Sequence, residues 1–304
     1  MKKRFFLIFF LAVFTFSPFI KTNSAGSLSN EEKIVLIEKF KLLIKKISDL
    51  RWQLQKTEIQ KELSATSYSL IDLSNNSVIL RKNSEKTYPI ASITKLMSAV
   101  VTLENINQEE KIVLTSKMLE PYGYSPAIHL GKNITAKNLL KATLIQSTND
   151  ATESLTYFLP EGNFIALMNE KTKELEMNNT FFYDAHGLSY LNRSSASDIS
   201  RLITYINENH PEILEITREE NFQLQGECVG GLCTFKNLNL FHKLTEFIGG
   251  KTGYLPAKAD QPDAGQTFVG IFNFNERQYV VVLLNSKNKA SDIQKISSWI
   301  KRRP

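Results

Sequence analysis

Cysteine is almost absent from this chain, with two in 304 residues, and histidine occurs four times. Two thiols do not close a zinc site, and His129, His186, His210 and His242 lack ligand spacing, so neither a metal nor another cofactor is expected. Acidic residues are missing from residues 1–25, which hold Lys2, Lys3, Arg4 and Lys21. Setting that stretch aside leaves 33 basic against 31 acidic side chains, so the formal charge of +6 gives no reason to expect a nucleic-acid partner. No apolar run reaches the roughly 20 residues of a bilayer span; the longest, Phe5–Ile20, has 16. Internal repeats and low-complexity tracts are lacking as well. The composition, 42% hydrophobic and 22% charged, is that of a folded protein rather than a disordered one.

What is present begins with an export pattern. Met-Lys-Lys-Arg is a cationic start, Phe5 to Phe16 is uncharged, and a polar stretch ends at Ala25, where a signal peptidase could cut. Residues 1–25 are therefore expected to be a signal peptide or an uncleaved anchor. Either one places the rest of the chain outside the cytoplasm, periplasmic or otherwise extracytoplasmic, and an uncleaved anchor would associate it with the membrane through the N-terminus. The two cysteines suit that address. If Gly230-Gly231 is a two-residue hairpin turn, Cys228 faces Cys233 with Cα atoms near 4.5 Å, at the short end of disulfide range. A structural disulfide is the expectation, with free thiols as the competing state.

Residues 26–64 form a segment of their own. Leu36, Phe40, Leu43, Ile47, Leu50 and Leu54 recur at spacings of 4, 3, 4, 3 and 4, which is a heptad seam. It predicts an amphipathic helix, used either for coiled-coil self-association through 36–54 or as a spacer resting on the main domain. The main domain, 65–304, opens with strand-like residues 67–73 and 77–81 around an Asn-rich turn. Helical patterns follow, among them one starting near Ser92 and one at 136–145. Two strand-like stretches at 266–274 and 278–284 and a last helix at 290–301 close the chain. Strands from both ends around a helical insertion predict an α+β domain with a mostly antiparallel sheet.

Three short signals carry chemistry. In Ser92-Ile-Thr-Lys95 the lysine lies three residues on, on the same helix face, where its amine can take the proton of a weakly nucleophilic hydroxyl. The spacing alone is weak, because Ser286/Lys289 and Ser298/Lys301 repeat it. Ser147-Thr-Asn149 taken alone reads as well as a helix N-cap. Lys251-Thr-Gly253 occurs once, preceded by two glycines and followed by Tyr254; its glycine lets a substrate backbone lie close against a strand. Only Ser92/Lys95 has the other two signals downstream.

That order resembles the signature of the penicillin-binding protein and serine β-lactamase superfamily. The segments 88–97, 147–155, 184–189, 194–198 and 248–254 look like those of the low-molecular-mass D-alanyl-D-alanine carboxypeptidases. The resemblance covers about residues 65–302. It implies a β-lactamase/transpeptidase-like α+β fold and peptidoglycan stem peptides as partners, with β-lactams as inhibitors that acylate the same serine. Ser92 is then the nucleophile, Lys95 its base, Ser147 the proton relay to the leaving amine, and Asn149 a ligand of both the substrate amide and Lys95. Lys251 and Thr252 engage the substrate carboxylate, Gly253 keeps the strand open to it, and the backbone N–H groups of Ser92 and Tyr254 form an oxyanion hole.

Two departures from that pattern stand out. Many relatives continue into a downstream β-domain, whereas this sequence stops at Pro304. Where relatives often place an arginine for the terminal carboxylate, only Lys287 and Lys289 are on offer. A class A β-lactamase is disfavoured, because 159–193 offers no convincing glutamate to activate the deacylating water. An endopeptidase that cuts cross-links would carry the same motifs, and so would an idle sensor of wall peptides or β-lactams.

Overall fold

The computed structural model describes residues 29–121, 123, 125, 127–224, 234–256 and 264–302. The export segment 1–25 and the cysteine pair Cys228 and Cys233 lie outside them. The chain divides into two compact units, with the boundary between Gln53 and Leu54. Helix α1, Asn30–Glu62, runs through that boundary and is about 50 Å long at the usual rise per residue. Its start is a capping box: Ser29 Oγ accepts from Glu32 N at 3.2 Å, and Glu32 Oε2 accepts from Ser29 N at 2.8 Å. In the first unit the seam residues Leu36, Phe40, Leu43, Ile47 and Leu50 are all exposed, and so are Ile37 and Ile44 beside them.

The second unit is built on a five-stranded antiparallel sheet. Its strands are β1 (Ser67–Asp72), β2 (Ser77–Lys82), β3 (Phe247–Leu255), β4 (Gly265–Phe274) and β5 (Arg277–Ser286), in the spatial order β2-β1-β5-β4-β3. Strands from the start and the end of the unit thus meet at β1 and β5, paired from Ser67 with Leu284 to Asp72 with Tyr279. Central β5 is covered on both faces, which explains its unbroken run Tyr279–Leu284 in place of alternation. The β4–β5 turn is tighter than the three residues expected. Arg277 already pairs with Phe274, and Asn275 and Glu276 both take positive φ, as a two-residue hairpin turn of the primed type requires.

Between β2 and β3 lies the helical lobe: α2 (Thr94–Asn105), α3 (Ala136–Ile145), α4 (Asn149–Thr156), α5 (Asn163–Glu174), α6 (Ala196–Asn209) and α7 (Pro211–Arg218). Helix α2 is its axis; every residue from Thr94 to Thr102 is buried. One apolar core joins the lobe to the sheet, from Leu96, Val100, Leu139 and Ile203 to Val269, Ile271, Val280 and Val282. The opposite face of β3 and β4 carries a ring cluster in which Phe241 meets Phe268 at 4.9 Å and Phe247 meets Phe272 at 5.2 Å. Helix α8, Lys289–Ile300, ends the unit with Trp299 buried. The α+β architecture, antiparallel sheet and inserted helical lobe are those read from the sequence.

Two features of this frame position the site. Strand β3 is an edge strand of this sheet, and its Gly250 N donates to Thr217 Oγ1 of α7 at 2.9 Å. Gly249 and Gly250 let it lie close to its neighbours. A Cβ on Gly249 would come within 2.6 Å of Leu214, and one on Gly250 within 2.2 Å of the Val269 carbonyl.

Candidate active site

A short 3-10 turn, Ala91–Ile93, leads into α2 and lifts Ser92 out of an otherwise buried stretch. Ala91 adopts the left-handed conformation at φ 50°, a strained geometry for a residue with a Cβ. Ser92 therefore sits partly exposed at the N-terminus of the lobe's central helix. One turn on, Lys95 is fully buried. Its Nζ lies 3.2 Å from Ser92 Oγ, donates to Asn149 Oδ1 at 2.7 Å, and donates to the His186 carbonyl. Burial lowers its pKa from the ordinary 10.5 to about 7, even though the carboxylates of Asp184 and Asp150 favour the charged form. An amine that releases its proton near neutrality, touching a hydroxyl, can act as that hydroxyl's base.

Ser147 and Asn149 come from the α3–α4 junction. Ser147 is left-handed, at φ 60°, and the N-cap position of α4 belongs to Thr148, so Ser147 is not a helix cap. Its Oγ accepts from Lys251 Nζ at 2.8 Å. Lys251, on β3, is nearly fully buried and also donates to the Thr252 carbonyl at 3.1 Å. Burial, reinforced by the positive charges of Lys95 and Lys289, holds its amine well below the usual lysine range. Gly253 is where the edge strand meets the nucleophile. A Cβ there would stand 2.5 Å from Thr267 Oγ1, 2.9 Å from Ser92 N and 3.0 Å from Ala91 Cβ. Tyr254 follows with an exposed ring and pairs with Gln266 through the backbone.

All eight site residues read from the sequence thus converge. Ser92, Ser147, Asn149, Thr252, Gly253 and Tyr254 line one cavity of about 850 Å³, with Lys95 and Lys251 buried in its walls. The two candidate lysines differ in placement. Lys289 opens α8, lines the cavity and donates to Thr252 Oγ1, whereas Lys287 is exposed. Burial lowers the Lys289 pKa. The fold brings it there through Gln266 Oε1, which accepts from Lys289 N at 3.0 Å. Three amines facing one cavity are thereby hydrogen-bonded to hydroxyls, an amide and carbonyls rather than to carboxylates. Among the described residues no group of acidic, histidine or cysteine side chains is arranged to hold a metal ion.

Sequence reasoning missed the loop 183–192, whose Asp184-Ala-His-Gly stretch it used only for likeness. Asp184 accepts from the backbone N–H groups of His186 at 3.1 Å, Gly187 at 2.5 Å and Ser189 at 2.6 Å. Gly187 is left-handed at φ 85° and packed so tightly that a Cβ would lie 2.1 Å from the Ala91 carbonyl. Asp150 is buried beside the site. Burial pushes its pKa up to about 6 against hydrogen bonds from the Ala151 and Ser125 N–H groups.

A partly exposed serine on a buried lysine, a second serine–lysine contact and a glycine-backed edge strand on this sheet define the penicillin-binding, serine peptidase class. A family model described as D-alanyl-D-alanine carboxypeptidase matches residues 54–288, and the chain belongs to that family. It is 31% identical over 255 residues to a D-alanyl-D-alanine endopeptidase of Escherichia coli, an alignment covering 80% of this chain and 79% of the relative. An endopeptidase of the same name from Pseudomonas aeruginosa is 28% identical, with 80% and 79% covered. Among solved structures, penicillin-binding protein D2 of Listeria monocytogenes in its ampicillin-bound form superposes with a TM-score of 0.67 at 26% identity, covering 78% of this chain and 97% of that one.

Proposed function

We propose that the protein is a serine D-alanyl-D-alanine carboxypeptidase of the bacterial wall, which removes the terminal D-alanine from peptidoglycan stem peptides. In this reading Ser92 Oγ attacks the carbonyl of the penultimate D-alanine while neutral Lys95 takes its proton. The developing oxyanion is held by the backbone N–H groups of Ser92 and Tyr254. The peptide C–N bond then breaks; Ser147, fed by Lys251, hands a proton to the departing amine, and the shortened peptide stays esterified to Ser92. Water hydrolyses that ester: one of its protons passes through Ser147 back to Lys251, and Lys95 returns its proton to the departing Ser92 Oγ. Lys251 and Lys289 take the terminal carboxylate as point charges rather than through a bidentate fork, and the Thr252 hydroxyl donates to it. Gly253 leaves the edge strand open for the substrate backbone, and Asn149 meets the substrate amide while steadying Lys95.

The observation that carries this reading is the buried Lys95 amine resting on Ser92 Oγ with a pKa of about 7. The test is mass spectrometry after penicillin treatment. A single adduct on Ser92 is expected, with both the adduct and D-alanine release lost in Ser92→Ala; an adduct that persists in the variant refutes the assignment. Fast penicillin turnover would instead indicate a β-lactamase. A second reading, endopeptidase cleavage of cross-links, is favoured by the name of the 31%-identical relative. Cross-linked and uncross-linked muropeptides offered side by side decide between the two.

Localisation follows from the same reading. The substrate lies outside the cytoplasm, and the cationic, apolar N-terminus serves as signal or membrane anchor. The exposed seam of α1 supports self-association through 36–54, in which two or more copies cover Leu36, Leu43 and Leu50.

A further inference from the structure

The loop 183–192 is tied to the nucleophile on both sides of Ser92, and one residue makes both ties. Asn192 is fully buried. Its main-chain carbonyl accepts from Ile90 N at 3.1 Å, two residues before Ser92. Its side-chain Nδ2 donates to Thr94 Oγ1 at 3.1 Å, two residues after. The same side chain closes the loop on itself. Asn192 Oδ1 accepts from Tyr183 N at 2.7 Å and Asp184 N at 3.0 Å, while Nδ2 reaches the Asp184 carbonyl and its Oδ1. Asp184 in turn gathers the N–H groups of His186, Gly187 and Ser189, which aims the His186 carbonyl at Lys95 Nζ and sets Gly187 against Ala91.

We infer that Asp184 and Asn192 are positioning residues that hold Ser92 and Lys95 in attacking geometry, Asn192 by bracketing the serine and Asp184 by shaping the loop that receives the lysine amine. The inference rests on Ser92 as nucleophile and Lys95 as base. Neither residue lines the cavity that holds Ser92. Their effect is mechanical at Ser92 and both mechanical and electrostatic at Lys95. The charged groups facing Lys95 are Asp184 on this loop, Asp150 on α4 and Lys251 on β3, with His186 between Asp184 and Glu153. Among them Asp184 favours the protonated amine. Removing that charge while keeping the side-chain shape lets Lys95 lose its proton at lower pH.

The test is the rate of acylation by a fluorescent penicillin across pH 5 to 9, with thermal melts to establish folding. Asn192→Ala is expected to lose about 100-fold in the acylation step, the size of effect that misplacing a reacting group by about 1 Å produces, with initial penicillin affinity within about threefold of wild type. Asp184→Asn is expected to move the acid limb of the profile by about one pH unit toward acid, a displacement that loss of structure alone does not produce. Should Asn192→Ala not fold, Thr94→Val removes only the acceptor for Asn192 Nδ2; a roughly tenfold loss there, restored in Thr94→Ser, supports the inference equally. Acylation within threefold of wild type in Asn192→Ala, or in Thr94→Val where the former does not fold, overturns it, as does an unmoved acid limb in Asp184→Asn. Failure of the underlying reading looks different: wild type itself then carries penicillin on another residue or on none, and the inference falls with it.

Discussion

Replacing Lys95 with methionine separates what the buried amine does for chemistry from what it does to stability. In the folded protein Lys95 releases its proton near pH 7, whereas an unfolded chain holds it up to about 10.5. Between those values the unfolded state binds the extra proton, so protonation opposes folding. The penalty is absent above about pH 10.5, grows by about 1.4 kcal/mol per unit as pH falls, and levels off below about 7 at something of the order of 5 kcal/mol. Methionine fills similar space and does not titrate. The substitution also strands two acceptors, Asn149 Oδ1 and the His186 carbonyl, at roughly 1–3 kcal/mol each, but that cost does not vary with pH. The offset therefore shifts the whole curve, while its slope belongs to the lysine. Lys251, relieved of a neighbouring charge in the variant, adds in the same direction. Urea unfolding of both proteins from pH 6.5 to 9.5 is the assay. The stability of Lys95→Met relative to wild type is expected to decline by about 3 kcal/mol over that range. A difference constant to within about 0.5 kcal/mol would mean that Lys95 titrates normally in the fold, and the proposed base would lose its physical footing.

Other consequences are as direct. Acylation of wild type by penicillin is expected to fall about tenfold per pH unit below pH 7, because the required neutral Lys95 becomes the minor form; a flat profile from pH 5 to 7 contradicts this. Gly253→Ala forces a methyl onto Thr267 Oγ1 and Ser92 N and is expected to destabilise by about 1–3 kcal/mol while slowing acylation about 100-fold, read by melts and stopped-flow labelling. Lys289→Ala is expected to raise KM for a D-alanyl-D-alanine peptide by about tenfold or more with a smaller change in kcat, whereas exposed Lys287→Ala leaves both unchanged. Equal effects of the two lysines would show that Lys289 does not meet the carboxylate.

The candidate site was legible because its members sit in short, locally ordered motifs. Lys95 follows Ser92 by one helical turn, and Lys251-Thr-Gly253 declares its own strand. The sheet was legible from its two ends, since alternating or fully apolar runs mark strands whatever lies between them. What stayed hidden depends on contacts far apart in the chain. Spacing alone left Lys287 and Lys289 equivalent; the fold separates them because Gln266, 23 residues earlier, receives the Lys289 amide. The Asp184–Asn192 loop carries no periodicity at all, and its role emerges only where it meets residues 90 and 94. The heptad seam of α1 was readable as a helix, but spacing does not tell what covers an exposed apolar seam.

The lysine amines at the cleft, hydrogen-bonded among the described residues to hydroxyls, an amide and carbonyls, make the protein sensitive to the salt around it. Small anions entering the cavity offset the positive charge that Lys289 places beside Lys251, so they are expected to stabilise the folded protein by mass action and to compete with substrate at the same time. A phosphate or sulfate buffer thus raises the melting temperature and the apparent KM together, whereas a bulky anion excluded from the cleft does neither.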